Sequence, residues 1–156
     1  TKSGMGLILR QALELISDEF DYVIIDCPPV LGVLMINALA ACDRVVIPVQ
    51  AEFLALKGLD RMMLSMEIMQ KSLAKTFAYT IVPTMFDKRL NAATKAYSTL
   101  THTYKEGIWG GLIPVDTRFR DASQAQSPPS VYSPKSRGVF AYAKLLSYLQ
   151  KLETQK

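Results

Sequence analysis

The sequence predicts an α/β fold in which a mostly parallel β-sheet carries helices on both of its faces. Short apolar runs alternate with longer amphipathic segments along the chain, which is typical of a parallel sheet with crossover helices. The 156 residues are 49% hydrophobic, and we expect residues 1–156 to form a single domain with its own core. No apolar run reaches about 18 residues, so the sequence predicts no membrane insertion.

Hydrophobic periodicity predicts the elements in order. The predicted helices span residues 7–17, 33–42, 54–73, 92–105 and about 138–152, and the predicted strands span 22–26, 44–50, 78–84 and 108–113. The run at 22–26 is short and uniformly apolar, which is typical of a buried parallel strand. Residues 114–137 predict a long polar connection, and connections of that length tend to be functional.

The charge is unevenly distributed along the chain. Residues 1–78 contain 7 Lys+Arg and 9 Asp+Glu, whereas residues 79–156 contain 11 and 5. The basic second half indicates either a polyanionic partner or, more commonly, a surface of solvated lysines. Cys27 and Cys42 lie in apolar runs and fit small buried side chains in a reducing compartment. Because no secretory signal pattern precedes them, we expect a cytoplasmic protein.

Asp26 is the strongest candidate for chemistry. It ends an apolar strand pattern, and ligands of open α/β sheets bind beyond the carboxyl ends of the strands. A carboxylate there suits a water-mediated contact to Mg²⁺ beside nucleotide phosphates. The residues alone leave open whether Asp26 instead caps a turn or the helix that begins near Val33.

Other candidates are weaker. Asp87, Lys88 and Arg89 follow a predicted strand and fit either a ligand-binding edge or a solvated loop. His102 is the only histidine, which excludes a histidine cluster, and we expect it on the exposed side of a helix. No Gly-Lys dipeptide occurs, so the sequence contains no phosphate-binding G-x-x-x-x-G-K-[ST] loop.

Five segments in order resemble the ParA-type partition ATPases, which are relatives of the MinD-type ATPases. Residues 20–32 (FDYVIIDCPPVLG) resemble the Walker-B and switch-II segment of that family, and residues 46–59 resemble its next strand and helix start. Residues 83–89, residues 113–114 and residues 132–138 resemble the two loops beside the base and the turn before the last helix. The similarity covers residues from about 20 to 149.

The resemblance implies a P-loop NTPase-like fold and specific residue roles. Asp26 corresponds to the switch-II carboxylate near Mg²⁺, and Gly32 to a backbone hinge close to the phosphates. Met85 and Pro114 correspond to contacts on the adenine side, with Asp87 and Val115 beside them. The family also implies a deviant Walker-A loop and a switch-I aspartate, which this sequence does not contain. The chain therefore looks like the C-terminal portion of such an ATPase, and we expect it to be inactive alone.

One departure concerns DNA. Many DNA-partitioning members have an arginine and an asparagine directly after the Ile-Pro, where this sequence has Val115 and Asp116. Arg89 keeps its family position, and Arg118 and Arg120 lie close enough to compensate. Because non-specific DNA binding is a sum of phosphate contacts, losing one contact does not abolish it.

The resemblance implies a nucleotide-switched homodimer that binds ATP and Mg²⁺ and hydrolyses ATP slowly. Its expected partners are a ParB-like or other stimulating adaptor, and either non-specific DNA or a polar scaffold protein, which would make it nucleoid-associated or polar. Two alternatives stay open: a MinD-like membrane-cycling ATPase, and a non-enzymatic interaction module that has lost ATP binding. The last helix argues against the first, because its apolar stripe predicts docking onto the sheet. That stripe comprises Val139, Phe140, Ala143, Leu146 and Leu149.

Overall fold

The computed structural model describes residues 7–28 and 32–154. These residues form two compact units. The first comprises the described parts of Thr1–Val45 and Leu59–Tyr79, and the second those of Val46–Gly58 and Thr80–Lys156. The expectation of a single domain stays a prediction.

Between residues 33 and 103, helices and strands alternate as the periodicity predicts. In chain order they are α1 (Ile8–Glu14), α2 (Val33–Ala41), β1 (Arg44–Gln50), α3 (Phe53–Leu73), β2 (Ala78–Thr84), α4 (Asn91–Thr103), α5 (Arg118–Gln124), α6 (Pro129–Tyr132) and α7 (Arg137–Glu153). A short 3-10 turn at Ser17–Glu19 follows α1. Strands β1 and β2 pair in a parallel sheet, which confirms the predicted fold class. Among the described residues, no helix combines the length and the apolar character that crossing a bilayer requires.

The other edge of β2 is only partly covered. The predicted strand at 108–113 is wrong as a continuous strand, because isolated parallel bridges join Ile81 to Ile108 and Phe86 to Pro114. Its backbone still bonds to β2: the Ile113 N–H donates to the Pro83 carbonyl oxygen at 2.8 Å. The Gly110–Gly111 pair interrupts the ladder, since glycine loses the most conformational freedom in a strand and offers no side chain to pack.

The segment at 22–26 is not the buried strand that its composition predicts. It has no regular secondary structure, pairs with no strand among the described residues, and leaves Ile24 94% exposed. An apolar run becomes a strand only where a neighbour satisfies its backbone N–H and C=O groups. Cys27, which we expected to be buried, is exposed on the same segment, whereas Cys42 is half-buried.

The predicted connection at 114–137 is also wrong in part, because it contains two short helices. Ala122 of α5 is completely buried, so this segment contributes to the core of the second unit rather than lying entirely in solvent. Pro129 occupies the first turn of α6, where a missing N–H costs nothing. The sequence did not predict either helix, because the segment is rich in serine and proline, which are typical of loops.

Helix α7 docks through a different face from the one predicted. The cluster against which it packs comprises Val82, Trp109, Ile113, Ala141 and Leu145, with Tyr148 and Leu149 at its edge. Of the predicted stripe only Leu149 belongs to it, whereas Phe140 and Leu146 are exposed. Helix α7 is apolar over most of its circumference, so the spacing of its apolar residues is compatible with two different docking faces. The face that packs carries Gly138 and Ala141, whose small size permits a close approach.

The two neighbouring glycines at 110 and 111 differ sharply in the space around them. A Cβ on Gly111 would lie 2.4 Å from the buried Trp109 ring, whereas a Cβ on Gly110 would meet nothing within 4 Å. We expect Gly111→Ala to lower the free energy of unfolding by about 1–3 kcal/mol, because the indole cannot move without disturbing the core. Urea denaturation of both variants measures this. Gly110→Ala is the control, and an equal loss in both would contradict the steric explanation.

Candidate functional site

Two loops meet at the carboxyl end of β2. The Phe86 N–H donates to the Ile113 carbonyl oxygen, and the Val115 N–H donates to the Phe86 carbonyl oxygen, each at 3.1 Å. These bonds hold the segment around Met85 beside Pro114 and Val115. The structure therefore brings together the residues predicted for the adenine side, at the sheet edge where α/β proteins bind ligands.

Met85 adopts a backbone conformation that its sequence does not signal. Its φ of 50° lies in the left-handed region, which residues other than glycine, asparagine and aspartate rarely enter. Its side chain is half-exposed, and its Sδ accepts a hydrogen bond from Gln50 Nε2 at 2.9 Å. Backbone strain of this kind clusters at ligand-binding sites. From the sequence we missed the contact of Gln50 with this candidate site, although the position of Gln50 at the end of β1 was a usable signal.

Asp87 and Arg89 neutralise each other. Arg89 donates from Nε to Asp87 Oδ1 at 2.9 Å and from Nη2 to Oδ2 at 2.6 Å. These bonds, together with the Arg89 backbone N–H, lower the pKa of Asp87 to about 2. The predicted nucleotide-binding carboxylate and the predicted DNA-binding guanidinium therefore form one ion pair.

Asp116 ties the second loop to the start of α7. Its Oδ2 accepts from the Gly138 N–H at 2.9 Å, and its Oδ1 accepts from the Arg118 N–H at 3.2 Å. The Gly138 bond is the main reason that the pKa of Asp116 is lowered, and the Ser136 hydroxyl contributes. Ser136 is fully buried and caps α7 by accepting from the Val139 N–H. The Asp116 carboxylate, which stands where many DNA-partitioning members have an asparagine, thus binds backbone N–H groups within the fold.

Asp26 and Gly32 belong to the first unit, whereas Met85, Pro114 and Val115 belong to the second. Asp26 is exposed and lines a pocket of about 500 Å³, and Gly32 precedes α2 in an extended conformation. The pocket lining is mostly apolar: Ile8, Leu9, Ala12, Ile25, Asp26, Cys27, Pro28, Val33, Leu34 and Asn37. Within this pocket, the Leu9 N–H donates to the Asn37 side-chain oxygen at 3.2 Å, which joins α1 to α2.

The residues around Asp26 fit Mg²⁺ only in part, because Asp26 can supply one of the several ligands that the ion needs. The described part of the chain contains no group of three carboxylate, histidine or cysteine side chains that could surround a metal ion. Mg²⁺ commonly takes one or two carboxylates and completes its shell with waters and substrate phosphates. One exposed carboxylate is consistent with that arrangement but does not form a metal site alone.

The predicted DNA-binding arginines are exposed but do not form one cluster. Arg118 and Arg120 lie on α5, and residues two apart on a helix point about 200° from each other. Arg89 is engaged by Asp87, as described above. His102 is exposed on α4, as predicted.

Comparisons with known proteins identify relatives of this chain. A family model described as an AAA domain matches residues 1–79. The sporulation initiation inhibitor protein Soj of Bacillus subtilis is 38% identical over 138 residues, covering 88% of this chain and 54% of Soj. The chromosome partitioning protein ParA of Myxococcus xanthus is 36% identical over 149 residues, covering 95% of this chain and 53% of ParA.

A solved structure shares the fold along the whole chain. It is cobyrinic acid a,c-diamide synthase from Mycobacterium smegmatis with bound ADP and magnesium, at a TM-score of 0.77 and 26% identity. The similarity covers 100% of this chain and 57% of that one. The chain thus spans about half the length of the proteins that it matches.

The cap formed by Asp116 predicts a pH-dependent contribution to stability. We expect Asp116→Ala to lower the free energy of unfolding by about 1 kcal/mol at neutral pH, because two backbone N–H groups lose their acceptor. The folded-state pKa is lowered, so this contribution is present above the ordinary carboxyl pKa of 3.8 and is lost as the pH falls through the folded value. Denaturation of variant and parent between pH 7 and about pH 2.5 measures the difference. Glu106→Ala removes an exposed carboxylate as the control, and a pH-independent difference would contradict the prediction.

Proposed function

We propose that this chain, which belongs to the family of ParA-type partition ATPases, forms the base-side and metal-side part of an ATP-dependent partitioning protein. Its cargo would be a chromosome, a plasmid or a protein assembly at the cell pole. The observation that carries the proposal is the hydrogen-bonded pairing of the Met85 loop with the Pro114–Val115 loop at the carboxyl end of β2.

The paired loops suit an adenine base. Met85 and Val115 present exposed apolar side chains there, and Pro114 pairs with Phe86 in the bridged backbone. A polarisable thioether beside a planar ring is a favourable contact. The strained backbone of Met85 supports a binding role, because such strain persists where the surrounding structure enforces it. Asp87, neutralised by Arg89, would lie beside the base without repelling the phosphates.

The phosphate side of the site is divided between this chain and residues outside the sequence given. Asp26 would contact Mg²⁺ through water, and Gly32 would let the backbone lie close to the phosphates. Bound ATP and Mg²⁺ supply the transferable phosphoryl group and the charge that stabilises its transfer. No Gly-Lys dipeptide is present to neutralise the phosphates. We therefore propose that the chain alone binds ATP weakly and does not hydrolyse it.

The intact protein would act as a nucleotide-switched homodimer in the cytoplasm, nucleoid-associated or polar. Hydrolysis would be slow and would be stimulated by a ParB-like adaptor or another partner. The relatives named Soj and ParA support this assignment, since each is about one-third identical to the chain. The rival is a non-enzymatic module, which would bind its partners without ATP.

Asp26 provides the decisive test. In a longer protein that contains this chain, we expect Asp26→Ala to lower Mg²⁺-dependent ATP turnover at least about 100-fold, because no other carboxylate among the described residues lines its pocket. A steady-state assay at saturating Mg²⁺ measures turnover, and circular dichroism checks the fold.

Asp21→Ala removes an exposed carboxylate on the same segment and serves as the control. Equal turnover in parent and Asp26→Ala would reduce Asp26 to a turn residue. Absence of ATP turnover and ATP binding in the longer parent would favour the non-enzymatic module. Tight ATP binding by the 156-residue chain alone, measured by calorimetry, would contradict the proposed division of the site.

The basic second half of the chain favours DNA as the structure on which the protein would move its cargo. We propose that Arg118 and Arg120 contact phosphates without regard to base sequence, and that Arg89 contributes less because Asp87 engages its guanidinium. Each true contact contributes to the salt dependence of binding.

We expect Arg118→Glu and Arg120→Glu each to weaken binding to a random-sequence duplex. Each should flatten the slope of log affinity against log salt by roughly one unit. Fluorescence anisotropy at several salt concentrations measures both quantities. Lys95→Glu on exposed α4 is the charge-matched control. If the ATP-bound parent binds no DNA at low salt, the track is a polar scaffold protein instead.

A further inference from the structure

Helix α7 presents an apolar face that no described residue covers. Phe140 is 62% exposed and Leu146 is 56% exposed, and Ala143 between them is exposed as well. These three residues recur at three-residue spacing, so they lie on one side of the helix, away from Ala141 and Leu145 in the core. We define them as the outer face of α7.

A row of cations flanks the outer face. Arg137, Lys144 and Lys151 follow one another at intervals of seven residues, and all three are exposed. Seven residues make nearly two turns, so the three charges lie in one line, spaced by about 10 Å. The Lys144 Nζ lies 4.6 Å from the centre of the Phe140 ring, which places the middle cation of the row beside one of the apolar side chains. The charge of Arg137 also acts on Asp87, whose pKa it helps to lower. Glu153 is the one acidic residue of α7.

We propose that the outer face of α7 binds an amphipathic helix of a partner protein that carries acidic residues along one flank. The partner's apolar side chains would cover Phe140, Ala143 and Leu146, and its carboxylates would align with the cation row. Charge complementarity selects this occupant: a row of one sign at seven-residue intervals matches a helical partner with the opposite sign at the same interval. The proposal does not depend on ATP binding.

The composition of the face argues against the other polyanions. A DNA backbone offers no apolar surface to cover Phe140 and Leu146. A membrane-surface helix needs large apolar residues along its length, but the same side of α7 continues with Ser147 and Gln150. Two large side chains beside three cations suit a short protein helix better than either.

A defined peptide tests the proposal on the 156-residue chain. The probe is a labelled peptide of about 18 residues, with leucines at helical spacing and glutamates along one flank. Its counterpart carries lysine at each glutamate position. We expect the acidic peptide to bind, to shift the amide resonances of Phe140, Ala143 and Lys144, and to bind at least about tenfold more tightly than the basic one.

Matched variants separate the contributions of charge and apolar contact. The pair Lys144→Glu with Lys151→Glu should weaken binding about tenfold, whereas Lys95→Glu with Lys105→Glu changes the net charge equally at exposed sites elsewhere and should change it little. Phe140→Ser should weaken binding similarly. Phe53→Ser is its control, since Phe53 is 69% exposed and also has a lysine, Lys57, over its ring.

Three outcomes would overturn the proposal. Equal affinity for the acidic and basic peptides would mean non-specific adhesion. Failure of the acidic peptide, together with binding to anionic vesicles that requires Phe140, would assign the face to a membrane surface. If the acidic peptide does not bind, but duplex DNA binds in a way that requires Lys144 and Lys151 and not Phe140, the cation row would be assigned to nucleic acid.

Discussion

The candidate site depends on the hydrogen bonds that β2 makes along both of its edges. On one side β2 pairs with β1, and directly after β1 the Ala51 N–H donates to the carbonyl oxygen of Thr84, the last residue of β2, at 3.1 Å. On the other side Ile81 exchanges bonds with the segment at 107–109, and Pro83 accepts from Ile113. Ile81 and Val82 are almost completely buried, so this backbone has no water as an alternative partner. The two site loops are held where β2 ends because both of their stems are fixed to it.

The second loop is fixed a second time, by the start of α7. Ser136 and Asp116 accept N–H groups from the first turn of this helix, where backbone donors have no partner within the helix. Phe119 lies over Gly138, so that a Cβ there would approach its ring to 2.6 Å. The second loop is therefore coupled to the core through α7, and a change in the packing of this helix would reach Asp116, the neighbour of Val115, through its hydrogen bond to Gly138.

The sequence predicted what depends on local pattern and missed what depends on neighbours. The bounds of β1 and β2 followed from apolar runs. The family resemblance, not the local pattern, assigned Met85 and Pro114 to one side of the site, and the bridge from Phe86 to Pro114 places their loops together. The segment at 22–26 did not follow, because the same apolar run is buried or exposed according to whether a second strand lies beside it. The docking face of α7 did not follow either, since two of its faces are apolar and only the shape of the sheet surface selects between them. The ion pair of Asp87 with Arg89 required coordinates.

Charge at the site edge shows why net composition is a poor guide to partners. Residues 79–156 contain 11 cations and 5 acids, which suggested a polyanion-binding half. The fold uses part of that charge internally: Asp87 engages Arg89, and Asp116 serves backbone N–H groups rather than ligands. What matters for a partner is the arrangement of the remaining exposed charge. On α7 this charge forms a straight row beside apolar side chains, whereas on α5 it points in two directions. A row of cations beside an apolar stripe fixes the orientation of a partner that binds there. Dispersed cations attract a negatively charged partner but do not orient it.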